Sequence, residues 1–105
     1  MKKETLKEIK SIKNQLVDKY GAEKIFLIGS AAWGRMKKDS DLDFLVIKKN
    51  TPKFGRDRMR EARKAVDSDM PVDILVYRPD EFKKRRQMGD PFIFLVCSKG
   101  KVLYG

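Results

Sequence analysis

Residues 24–47 read KIFLIGSAAWGRMKKDSDLDFLVI, and the placing of apolar and acidic residues in this stretch decides the fold. Lys24 to Ile28 is a short β-prone run that stops at Gly29-Ser30, a pair suited to a tight turn. Residues 31–36 can form a short helix. Leu42 to Ile47 is a second strand, apolar on both faces once past Asp43, which places it centrally in a sheet. Side chains alternate along a strand, so Asp41 and Asp43 leave the same face at its start. Two carboxylates a few ångströms apart beside an apolar core repel one another, and without a cation one of them has its pKa raised. A hard divalent ion such as Mg²⁺ relieves that cost.

Working outward, residues 3–20 carry Leu6, Ile9, Ile12, Leu16, Val17 and Tyr20 at helical spacing, and Gly21 ends the pattern. Downstream, residues 50–55 form a loop. Residues 56–66 follow as a helix with Met59, Ala62 and Val66 on its inner face. Residues 71–77 form a third strand with Asp73 near its beginning, and Pro79 opens a helix that runs to about residue 88. Residues 92–96 fit a strand or a buried helix equally by periodicity, and residues 101–104 look like a terminal strand after a turn at Gly100. This alternation predicts an α/β (α+β) domain, a short mixed sheet packed with helices.

A helix between the second and third strands favours a right-handed crossover and a parallel pair. Parallel strands keep their N-terminal ends together, so Asp73 arrives beside Asp41 and Asp43. If the first two strands are antiparallel, Gly29-Ser30 falls at the same edge. That turn offers a phosphate close backbone approach, N–H groups at a helix start and a hydroxyl.

The chain has 105 residues, enough for one domain spanning 1–105, and a formal net charge of +10 that attracts polyphosphates, nucleic acids or acidic proteins. Histidine is absent, which removes Ser-His and Cys-His mechanisms and most zinc sites. The one cysteine, Cys97, sits in an apolar run and is expected to be buried, and it cannot form an internal disulfide. No apolar stretch is long enough to span a bilayer and no signal-peptide pattern opens the chain, so a reducing cytoplasm is expected. Two basic clusters stand out, residues 56–64 and 83–86. The first is laced with acids and reads mostly as exposed helix surface; the second is dense enough for an acidic or nucleic-acid partner. Neither has interleaved aromatics, so direct nucleic-acid binding is disfavoured. Trp33 is expected to pack in or at the edge of the core.

Gly29-Ser30, ten residues, then Asp41-Leu42-Asp43 resembles the signature of the polymerase-beta-type nucleotidyltransferase superfamily. With Gly29 to Arg35, Ser40 to Val46 and Pro71 to Val76, the chain looks like the minimal nucleotidyltransferase branch over essentially its whole length. The resemblance implies that fold, with residues 92–96 helical. It implies two Mg²⁺ ions bridged by Asp41 and Asp43, and Asp73 binding the metal that activates the attacking hydroxyl. Gly29 and Ser30 would hold the β/γ-phosphates of ATP, with a phosphate role for one of Arg35, Lys37 and Lys38. It also implies transfer of AMP to a partner protein, the usual arrangement being an antitoxin beside a HEPN-type ribonuclease toxin whose tyrosine is modified, in a hetero-oligomer of the two. Two other readings compete: a non-catalytic module that neutralises its partner by occlusion, and an aminoglycoside-type small-molecule transferase.

Overall fold

The computed structural model describes residues 2–34, 36 and 40–105. Helix α1 (Lys3–Gln15) continues into a π-helical turn, Leu16–Tyr20, that stops at Gly21. The Gly21 and Ala22 N–H groups both donate to the Leu16 carbonyl and close the helix end. Its buried stripe is Thr5, Ile9, Ile12, Leu16 and Tyr20, a spacing of three and four that faces one side of the sheet. Leu6, expected on that stripe, lies one position off it and is 54% exposed.

Four strands follow in the spatial order β3-β2-β1-β4: β1 (Lys24–Ile28), β2 (Leu42–Ile47), β3 (Val72–Tyr77) and β4 (Lys101–Tyr104). β1 runs antiparallel to both β2 and β4, whereas β2 and β3 are parallel, joined through helix α3 (Gly55–Lys64). The parallel β2–β3 pair matches the expectation from sequence, and the β1–β2 pair, left open there, is antiparallel. The mixed sheet follows from loop length: the helix in the β2–β3 link spans a parallel crossover, and the shorter β1–β2 link returns antiparallel.

Each face of the sheet has its own core. On one, Ile25, Leu27, Phe44, Val46, Ile74 and Val76 pack against α1 and α3. On the other, Phe26, Ile28, Leu45 and Ile47 pack against Ile93 and Val96 of α5 (Pro91–Lys99), with Phe82 of α4 (Pro79–Gln87) alongside. β2, buried on both faces, is the central apolar strand its sequence indicated. The short helix α2 (Gly29–Trp33) buries Ala31 and Ala32 in the first of these cores, whereas Trp33 keeps 37% of its surface in solvent.

The open question of the tail resolves as a helix. Asp90 accepts hydrogen bonds from the Phe92 and Ile93 N–H groups, and Pro91 takes the first helical position. A helix buries one stripe, here Ile93 and Val96, so the next row along, Phe94 and Cys97, faces outward. The expectation of a buried Cys97 is therefore corrected: the thiol is exposed. Residues 56–64 are mostly exposed, as expected, with one exception among the cations: Arg58 is only 5% exposed. Its guanidinium donates to the carbonyls of Pro52, Lys53 and Val76 and bridges both carboxylate oxygens of Glu81. Glu81 is held below its usual range chiefly by that hydrogen bond. Among the described residues, no helix is long and apolar enough to cross a membrane.

Candidate active site

The strand register brings the acids together. Ile28 of β1 stands opposite Asp43 of β2, and Asp43 stands opposite Asp73 of β3. Opposed residues share a face, so the two carboxylates project from the side of the sheet that α4 and α5 cover. That second core reaches Ile28 and Leu45 but not the strand starts. Asp43 is half-buried, and Asp73 and Asp41 are exposed.

Asp43 carries the imprint of this crowding. Its carboxyl is pushed above the ordinary aspartate range, first by burial, then by the charges of Asp73 and Asp41, and by a hydrogen bond with Asp73. Like charges at short range cannot both ionise cheaply, so Asp43 is harder to ionise when no cation is present. Among the described residues, no three acidic or sulfur side chains already close around one point as a finished cage. What is assembled is the Asp43–Asp73 pair, with Asp41 near enough to act on it electrostatically. The donor set is all carboxylate oxygen, which suits Mg²⁺ and not a soft metal.

Gly29 explains why the turn belongs to the same site. Its φ is +71°, a left-handed conformation that favours glycine. A Cβ there would overlap the Asp43 carboxylate, lying 3.1 Å from its Cγ and 3.2 Å from its Cβ. The backbone of the turn is thus seated directly on the acid, and half-buried Ser30 follows as the next residue. The structure places Gly29, Ser30, Asp41, Asp43 and Asp73 at one edge of the sheet. Arg35, Lys37 and Lys38 lie outside the described residues.

Sequence reasoning missed two features. One is the steric demand of Asp43 on Gly29, which motif spacing alone does not reveal. The other is Arg58, which fastens the residues before α3 to β3 and α4 and so steadies the strand that carries Asp73. The buried row Arg58, Ala62, Val66 has a four-residue period, and that period was the available signal.

A mixed sheet that presents paired acids opposite a glycine-serine turn is the architecture of a nucleotidyltransferase fold. A crystal structure of a Sulfolobus solfataricus chain assigned as a nucleotidyltransferase shares the fold: the TM-score is 0.54 over 80% of this chain and 81% of that one, at 22% identity. The nucleotidyltransferase domain family matches residues 9–95, and the chain belongs to that family. It is also 38% identical over 76 residues, 71% of its length, to the "Probable protein adenylyltransferase MntA" of Haemophilus influenzae. The chain spans 64% of the length of that relative.

Proposed function

We propose that residues 1–105 form one catalytic domain that transfers AMP from ATP to a protein hydroxyl, with Asp41, Asp43 and Asp73 as its metal-binding acids. The observation that carries the reading is the Asp43–Asp73 contact, which adds to burial in raising the Asp43 pKa and whose repulsion a divalent cation relieves. Two Mg²⁺ ions bound there would supply Lewis acidity toward the entering and leaving oxygens of an in-line displacement. The Gly29-Ser30 turn, free of a Cβ where it meets Asp43, holds the β- and γ-phosphates and so fixes the α-phosphorus over the acids. Asp73, the more exposed of the paired acids, receives the proton of the acceptor hydroxyl. The new bond joins the acceptor oxygen to the α-phosphorus, the bond from that phosphorus to the bridging oxygen breaks, and pyrophosphate leaves.

The acceptor in this proposal is a tyrosine of a partner HEPN-type ribonuclease toxin in the cytoplasm, and the chain acts as its antitoxin. Support comes from membership of the nucleotidyltransferase family and from the protein adenylyltransferase name of the Haemophilus relative. The experiment combines the protein, the suspected toxin, Mg²⁺ and ATP labelled in its α-phosphate. Label should enter the toxin with the wild type and not with Asp41→Ala/Asp43→Ala. Undiminished labelling by the double variant removes the catalytic reading. Equal neutralisation by both proteins without label replaces it by occlusion.

A further inference from the structure

β3 is an edge strand, and a groove of about 520 Å³ runs along its outer side, past Leu75, Val76 and Tyr77 and between the start of α3 and α4. Leu75 shares a face with Asp73 and follows it by two residues, roughly 6–7 Å along the strand. The groove's lining thus begins one same-face step from the third acid, which does not itself line it.

Its chemistry is mixed. The Pro71 and Tyr77 carbonyls accept from Leu42 and Lys48 on the β2 side. By alternation, the carbonyls of Val72, Ile74 and Val76 point outward. Arg58 occupies the last of these and is itself neutralised by Glu81. Arg85 is paired with Asp90 at 3.3 Å. Among the described residues that leaves Lys53, whose ammonium lies 5.9 Å from the Phe54 ring centroid, and Lys84, both exposed, as the positive charge of the rim, with Met88 of the same lining 73% exposed. A thioether at the mouth of a groove adapts to varied apolar side chains.

In-line displacement puts the entering and leaving oxygens on opposite sides of the phosphorus. Gly29-Ser30 at β1, Asp43 on β2 and Asp73 on β3 lie in that order across the sheet. With pyrophosphate leaving on the β1 side, as the reading above has it, the acceptor enters from the β3 side. We infer that the groove outside β3 is the acceptor's docking site, and that its occupant is an acidic polypeptide segment presenting the hydroxyl to Asp73; this rests on the nucleotidyltransferase reading. The charge of Lys53 and Lys84 calls for an anionic partner, and the apolar floor calls for side chains. A nucleic acid would need a free aromatic platform. Tyr77, the aromatic lining the groove, already packs edge-on against Phe82.

The test uses the full chain with Mg²⁺ and a non-hydrolysable ATP analogue. Fluorescence anisotropy follows binding of a labelled random glutamate–tyrosine copolymer, with a lysine–tyrosine copolymer and a single-stranded oligonucleotide as comparators. The glutamate–tyrosine copolymer should bind, and Lys53→Glu/Lys84→Glu should weaken it at least about tenfold. The affinity for the ATP analogue, measured separately, should stay the same in that variant and shows that it is folded. Equal copolymer binding by variant and wild type overturns the proposal, as does no binding at all. Preference for the lysine–tyrosine copolymer, or lysine-dependent preference for the oligonucleotide, overturns it too. Lysine-dependent copolymer binding by a wild type that transfers no AMP supports the docking surface and rejects the transferase reading, so the two failures are distinct.

Discussion

Replacing Gly29 by alanine separates backbone strain from damage to the site, because Gly34 provides a matched control. Gly29 and Gly34 have φ of +71° and +76°, so an alanine at either position adopts a left-handed conformation at about 1–2 kcal/mol. For a domain of this size that lowers Tm by roughly 5–15 °C. The two positions differ in surroundings. Among the described residues a Cβ at Gly34 meets nothing within 4 Å, whereas one at Gly29 runs into the Asp43 carboxylate. Asp43 can escape only by shifting its carboxylate from its present position, which disturbs the pairing with Asp73. Thermal melts without ligand and with Mg²⁺ and an ATP analogue at about a hundredfold excess over Kd read both effects at once. Ligand should stabilise the wild type and Gly34→Ala by about 2.7 kcal/mol, and Gly29→Ala by little or nothing. Equal ligand stabilisation of the two variants refutes the steric link between the turn and the acid.

Three further outcomes follow from named contacts. Asp43→Asn should abolish Mg²⁺-dependent stabilisation while matching or exceeding the metal-free wild type in stability. Because the folded pKa of Asp43 is raised, the native state binds its proton more tightly than the unfolded chain. The metal-free wild type therefore loses stability as pH rises through that pKa, and the variant's advantage grows over the same range; a pH-independent difference in urea melts contradicts this. Arg58→Met should cost about 2–3 kcal/mol, less than a fully buried pair because the Glu81 side chain is 36% exposed. Glu81 has a depressed folded pKa, so its contribution is present above the unfolded value of about 4.3 and is lost as pH falls through the folded one; an Arg58→Met penalty that is undiminished in acid counts against the pairing. The native protein should react with a thiol reagent through Cys97 without denaturant, and protection until unfolding would contradict its outward placing.

Much of this architecture is legible in the sequence because it rests on local patterns. Period-two alternation fixed which residues of β2 and β3 share a face, and a helix-length crossover made the pair parallel. Asp43 and Asp73 could therefore be brought together before any coordinates. Burial at single positions was harder to read. Cys97 and Phe94 are apolar, and only the choice of helix over strand turns them outward; Asp90-Pro91 held that information as a cap signature. Arg58 looks like any surface cation until Glu81, 23 residues on, and three carbonyls from two other segments converge on it. Such partners are tertiary, and no local pattern encodes them. The contact between Gly29 and Asp43 is of the same kind, set by the β1–β2 register.

The most direct test is a Mn²⁺ titration followed by electron paramagnetic resonance, with an ATP analogue present, comparing the wild type with Asp43→Asn and Asp73→Asn. The account expects saturable Mn²⁺ binding that depends on both carboxylates. If either variant took up the ion as the wild type does, these aspartates could not be the metal ligands that the proposed chemistry requires.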